Sequence, residues 1–129
     1  MFRKATITNV PNIADVRSFR SIIESLGYTI GFDQNTWKIE KKEVSLRDLD
    51  TENTKKIRVG ILLMPSLYQS LSTMTLPTPG GCAIGARSIE DHISGFRALG
   101  LDVSLDDEGS YVHVSGDFYM GERVVRAGF

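Results

Sequence analysis

This chain has one cysteine, one tryptophan and four prolines in 129 residues. A single cysteine cannot close an internal disulfide, so no cross-linked scaffold is expected and a reducing compartment fits. The two histidines, His92 and His113, lie far apart in sequence. With one cysteine they offer no metal-ligand cluster, and neither metal nor cofactor is expected. Neither charge sign dominates: 15 Lys and Arg against 16 Asp and Glu leave a formal charge of −1. Nucleic acid and an anionic membrane are therefore not expected as partners. Lys41-Lys42 and Lys55-Lys56 are the densest basic spots and read as solvated surface. The longest apolar run, Ile61-Leu62-Leu63-Met64, is far too short to span a bilayer. The opening residues, Met1 to Thr6, contain no apolar core of signal-peptide length. The expectation is a soluble, cytoplasmic protein.

What is present suits one domain with a core: 41% of residues are hydrophobic and 24% charged. Ala5 to Val10 alternates polar and apolar residues as a half-buried strand does. Asp15 is a candidate N-cap for a helix whose stripe is Val16, Phe19, Ile22, Ile23 and Leu26, with Gly27 as a left-handed stop. Tyr28 to Phe32 and Thr36 to Glu40 read as a hairpin turned at Asp33-Gln34-Asn35. The second half repeats this order. Met74-Thr75-Leu76 is a strand, and Ser88 is a candidate cap for a stripe of Ile89, Ile93, Phe96 and Leu99 ending at Gly100. Leu101 to Leu105 and Tyr111 to Val114 follow as strands about a turn at Asp107-Glu108-Gly109. One constant shift along the sequence lays Val16 on Ile89, Ile23 on Phe96, Leu26-Gly27 on Leu99-Gly100 and Asp33 on Asp106. Between the halves a helix is expected from Leu49-Asp50-Thr51 towards Leu71, kinked or broken at Pro65. The pseudo-repeat units run about 5–73 and 74–116, with a further unit beginning at 117–129. The fold class is α/β (α+β), a sandwich with a mixed sheet.

One stretch concentrates chemistry: Pro79-Gly80-Gly81-Cys82-Ala83-Ile84-Gly85-Ala86-Arg87. Glycines let backbone turn sharply and approach a ligand. A nearby cation favours the thiolate of an accessible cysteine. On residues alone Cys82 reads either as a reactive thiol or as a small core hydrophobe. Arg87 precedes a predicted helix N-terminus, where backbone N–H groups and a guanidinium suit an anion; an exposed charge is the alternative. Glu90 and Asp91 in the first turn suit the helix dipole without any ligand. His92, one turn in, reads as structural or ligand-facing. Arg58, placed in the middle helix beside Ile57 and Val59, reads as a side chain reaching solvent. Gly80, Gly81 and Gly85 match neither the dinucleotide fingerprint nor the phosphate-binding loop.

The run Leu76 to His92 closely resembles the active-site loop of the bacterial UDP-N-acetylglucosamine 1-carboxyvinyltransferases. These enolpyruvyl transferases begin peptidoglycan synthesis. The family pattern is Pro-Gly-Gly-Cys, a small residue, then Ile-Gly-Ala-Arg-Pro-Val-Asp-Leu-His. The likeness continues through Gly95, Ala98, Leu99 and Gly100. Thr6 to Pro11 with Asp15-Val16 resembles an earlier strand and helix, and Lys55-Lys56-Ile57-Arg58 a Lys-Met-Arg helix. The related shikimate-pathway transferase lacks the cysteine loop and matches less well. The resemblance implies βαβαββ repeat units, about two of one domain. It implies transfer of enolpyruvyl from phosphoenolpyruvate to the 3-hydroxyl of UDP-N-acetylglucosamine, with release of phosphate. It makes Cys82 the general acid. It makes Arg58 and Arg87 neutralisers of substrate phosphate and carboxylate, and Arg87, Ser88, Ile89, Glu90 and Asp91 the nucleotide-contacting segment.

Three departures stand in that segment: Ser88 for proline, Glu90 for aspartate and Asp91 for leucine. They bear on nucleotide affinity more than on the chemistry. The family enzyme is far longer, with its site between two domains. This chain has no counterpart to the early Lys-Asn pair, the aspartate base or the late arginine. The expectation is a partial domain whose partner is the missing remainder of the enzyme and which is inactive alone. The alternatives are a stand-alone, non-catalytic sugar-nucleotide-binding or regulatory module, or a degenerate remnant without ligand.

Overall fold

The structure is a computed structural model and describes residues 3–79 and 89–117. The chain divides into two compact units, Met1–Val59 and Gly60–Phe129. The first contains β1 (Lys4–Ile7), α1 (Ala14–Ser25), β2 (Tyr28–Asp33), β3 (Thr36–Lys41) and α2 (Thr51–Lys56). At the boundary begins α3 (Val59–Leu71), and the second unit continues with β4 (Met74–Pro77), α4 (Glu90–Ala98), β5 (Leu101–Leu105) and β6 (Tyr111–Gly116). Each unit carries a three-stranded sheet of the same order, β1-β3-β2 and β4-β6-β5.

Every neighbouring pair of described strands is antiparallel. The expected mixed sheet is therefore corrected. The returning strand of each hairpin inserts between the other two, so described strands that run the same way are never neighbours. The β2–β3 hairpin turns on Gln34 and Asn35, both left-handed at φ 42° and 62°. Such a two-residue turn matches the twist of the flanking strands. Gly27 and Gly100 end α1 and α4 at φ 95° and 97°, the left-handed stop read from sequence.

In the first unit Val10, Ile30 and Trp37 form a buried cluster, packed by Val16, Phe19, Ile23 and Ile39. Alternation decides this face: Ile30 pairs with Ile39, and Phe32 with Trp37, in the same strand rows. The polar Lys4 and Glu40 pair on the other face, bridged at 3.0 Å. In the second unit α3 buries Ile61, Met64, Leu67 and Tyr68 at helical spacing. Strands β4, β5 and β6 bury Met74, Leu76, Leu101, Val103, Val112 and Val114. The Tyr68 hydroxyl donates to the Gly116 carbonyl in β6.

Three local expectations are corrected. Asp15 lies in the first turn of α1, and Ile13 holds the N-cap without a side-chain bond. The middle helix breaks at Ile57, whose backbone is extended at φ −116° and ψ 135°. Pro65 lies inside α3. The break falls on a β-branched residue that ends α2, while the buried stripe of α3 runs on past the proline. Arg58 thus sits between two helices rather than inside one.

Asp50 organises the junction of α1 and α2. Its carboxylate accepts from the Asn53 backbone N–H at 3.0 Å, the Asn53 side-chain amide at 2.7 Å and the Ser21 hydroxyl at 2.6 Å. Its own N–H donates to Ser25 Oγ at 2.9 Å. Its carbonyl accepts from the hydroxyl of buried Thr54 at 2.7 Å. These bonds hold the Asp50 carboxyl below its ordinary pKa, led by the Asn53 side chain and then Ser21, against opposition from burial.

Candidate functional site

The segment that carries Cys82 leaves the end of β4 and returns at the head of α4. Its departure is pinned. The Thr78 backbone N–H donates to the Ser110 carbonyl at 2.9 Å, and the Thr78 hydroxyl donates to the Gly109 carbonyl at 2.8 Å. Those two bonds fasten the chain just before Pro79 to the turn between β5 and β6. Gly109 makes that turn possible at φ 67°, with its N–H on the Asp106 carbonyl at 3.0 Å. Asp106 Oδ1 in turn accepts from the Tyr111 N–H at 2.9 Å.

The return is set by α4. Ile89 holds the N-cap position with an α-region backbone, φ −91° and ψ 0°, and its carbonyl accepts the Ile93 N–H at 3.0 Å. Ile93 anchors the helix from below, being 1% exposed. Arg97, in the last turn, clamps the Val103 carbonyl of β5 through Nε at 2.9 Å and Nη2 at 2.5 Å. Helix and strand are thereby fixed to each other, and the first turn of α4 is held at the end of the loop. Glu90 and Asp91 lie in that first turn and are exposed, as is His92. Two carboxylates there favour the positive end of the helix dipole. Asp91, His92, Gly95, Phe96 and Leu99 line a shallow, mostly apolar hollow of about 290 Å³.

Of the residues singled out by sequence, Ile89, Glu90 and Asp91 are brought together as consecutive positions at the head of α4. Arg58 lies in the first unit, half-buried, immediately before α3. Cys82, Arg87 and Ser88 lie outside the described residues. His113 is on β6, 2.9 Å from the Thr75 hydroxyl across the strand pair. Among the described residues no three His, Cys, Asp or Glu side chains gather as metal ligands would. Nor is any described helix long and apolar enough to cross a membrane.

Thr78 is the residue that sequence reasoning passed over. The available signal was a hydroxyl beside a proline at the strand-to-loop junction, but its partners lie some thirty residues on, at Gly109 and Ser110.

Comparisons with known proteins show the family and the fold. The EPSP synthase (3-phosphoshikimate 1-carboxyvinyltransferase) family pattern matches residues 3–125. The UDP-N-acetylglucosamine 1-carboxyvinyltransferase of Trichlorobacter lovleyi is 35% identical over 102 residues, which are 79% of this chain and 24% of that protein. The second such protein of Clostridium acetobutylicum is 37% identical over 101 residues, 78% of this chain and 24% of its own length. One from Listeria monocytogenes is 31% identical over 121 residues, 94% of this chain and 28% of its own. Among solved structures, the enolpyruvyl transferase NikO from Streptomyces tendae superposes with a TM-score of 0.71 at 17% identity, covering 88% of this chain and 24% of that one. That last likeness is one of fold. The chain spans about a quarter of the length of the curated relatives it matches.

Proposed function

This chain belongs to the EPSP synthase family, and from that premise we propose that it supplies the cysteine loop and a substrate-binding segment of an enolpyruvyl transferase. The donor is phosphoenolpyruvate and the acceptor is the 3-hydroxyl of UDP-N-acetylglucosamine. The reading is supported by the Pro-Gly-Gly-Cys run, whose neighbours in sequence are a strand end fastened at Thr78 and the head of α4, together with relatives that bear this activity in their names.

Cys82 is the general acid. Its thiol gives a proton to the methylene carbon of phosphoenolpyruvate while the sugar hydroxyl oxygen, its own proton taken by a base on the remainder of the enzyme, bonds to the neighbouring carbon. A basic group on the remainder of the enzyme then takes a proton from that methyl as phosphate departs, and the double bond is restored. The thiolate left on Cys82 is favoured by cations, the role of Arg87. Arg58 and Arg87 neutralise phosphate and carboxylate with planar donor forks. Ser88, Ile89, Glu90 and Asp91 contact the nucleotide, partly through backbone at the start of α4. The remainder of the enzyme supplies the base and the rest of the substrate cradle, in the cytoplasm, so the chain alone releases no phosphate.

The test is a chimera. Residues 3–125 replace the matched segment of the Trichlorobacter lovleyi relative, and phosphate release is followed with both substrates. The chimera is expected to turn over, and Cys82→Ala to lower the rate roughly 100-fold or more, the usual worth of a general acid. A folded, active chimera indifferent to Cys82→Ala refutes the assignment. Calorimetric titration of the chain alone with UDP-N-acetylglucosamine separates the alternative: micromolar binding favours a stand-alone binding module.

A further inference from the structure

The first unit holds a second cleft, remote in sequence from the cysteine loop. It measures about 210 Å³ and is lined by Pro11, Asn12, Val16, Arg17, Arg20, Phe32 and Trp37. Trp37 is its floor, 6% exposed and seated in the core cluster. Phe32 stands directly opposite Trp37 in the β2–β3 register, yet is 43% exposed. An aromatic floor and a half-open aromatic wall thus meet at one point.

Both arginines are held in place. Arg20 bonds to Glu24 Oε1 at 3.0 and 3.2 Å and to the Ile30 carbonyl at 3.0 Å, so its charge is answered by a carboxylate. Arg17 is different. Its Nη1 donates to Asn12 Oδ1 at 3.0 Å and to the Asn12 carbonyl at 3.2 Å, both neutral oxygens. The guanidinium is therefore oriented without its charge being neutralised by these partners. A fixed guanidinium offers a planar fork to an anion and a flat face to a ring.

We propose that this cleft binds a small planar aromatic ring bearing an anionic group, such as an aryl carboxylate. The ring lies against Phe32 and Trp37, and its anion meets Arg17. The volume accommodates one such ring, and the combination of few placed polar groups with aromatic walls is that of a ligand pocket.

Trp37 is the only tryptophan, so its fluorescence reports the cleft directly. The 129-residue chain is titrated with benzoate, benzyl alcohol and acetate at matched ionic strength. Benzoate is expected to give a saturable change with a dissociation constant on the order of 1 mM, as suits a ligand this small. Benzyl alcohol and acetate should bind about tenfold more weakly or not at all, since each keeps only half of the recognition. Arg17→Ala should weaken benzoate about tenfold while leaving the emission of the free protein unchanged, and Arg17→Lys should recover part of the loss. Phe32→Ala is the second variant and should weaken benzoate and benzyl alcohol alike. Equal binding of benzyl alcohol and benzoate overturns the proposal. So does benzoate binding unaffected by Arg17→Ala, or no saturable response.

Discussion

Asp50→Ala removes the hub that joins α1 to α2, and its cost can be worked from the bonds lost. The carboxylate caps α2 through the Asn53 N–H, and loss of such a cap costs about 1 kcal/mol. It also accepts the Ser21 hydroxyl at 2.6 Å from the neighbouring helix. A hydrogen bond to a charged group contributes about 1.5–3 kcal/mol when sheltered. Asp50 is only half-buried, so solvent screening brings that to about 1 kcal/mol. The expected loss is therefore about 2 kcal/mol. Asp50→Asn keeps a capping oxygen but not the charge and should lose about 1 kcal/mol or less. The assay is urea unfolding followed by Trp37, which lies in the same unit as Asp50 and reports that unit. A cycle with Ser21→Ala should show a coupling of about 1 kcal/mol, because the two side chains touch. The pH dependence has a definite sign. The folded carboxyl lies below its ordinary value, held there first by the Asn53 side chain and then by Ser21. Its stabilisation is present above the unfolded pKa of about 4 and is lost as pH falls through the lower folded value. The gap between wild type and Asp50→Ala should narrow below about pH 4. Asp50→Ala within about 0.5 kcal/mol of wild type, or a gap that widens in acid, refutes the reasoning.

Two glycine substitutions should move stability in opposite directions in the same unfolding assay, followed by circular dichroism. Gly27→Ala places a Cβ 2.1 Å from the Glu43 carbonyl oxygen at φ 95°, and should cost about 2 kcal/mol or more. Gly95→Ala, within α4, meets nothing inside 4 Å, and should gain about 0.5–1 kcal/mol. Burial, and then the charge of Asp117, push the Tyr68 hydroxyl above its ordinary pKa. Its contribution is full below the unfolded pKa near 10 and is lost as pH rises through the folded value. Ultraviolet titration of tyrosinate should place Tyr68 lower in Asp117→Asn than in wild type.

The features legible in the sequence are those decided within one turn of chain. Gly27 and Gly100 each follow an apolar helical stripe, and both take the left-handed stop. The hairpin at Gln34-Asn35 and the strand at Leu101–Leu105 follow from alternation and turn residues alone. The Pro-Gly-Gly-Cys loop is recognisable for the same reason, since its chemistry is written in consecutive residues. Pro65 shows the limit. A proline predicts a break, but burial of Ile61, Met64, Leu67 and Tyr68 favours a continuous α3, and the break falls at Ile57 instead.

Local pattern thus settled the order of helices and strands, where the cysteine loop lies in the sequence and which family it resembles. Tertiary structure decided what meets across the chain. It inserted β3 between β1 and β2, and β6 between β4 and β5, so the first two strands of each unit are separated in the sheet by the third. It joined Asp50 to Ser21 and Ser25 across more than twenty residues, and pinned Thr78 to Gly109. It gathered Arg17, Phe32 and Trp37 around one cleft. The reason is physical. Backbone propensity and hydrophobic period act over a few residues, whereas a hydrogen-bond partner or a pocket wall is chosen only when distant segments pack.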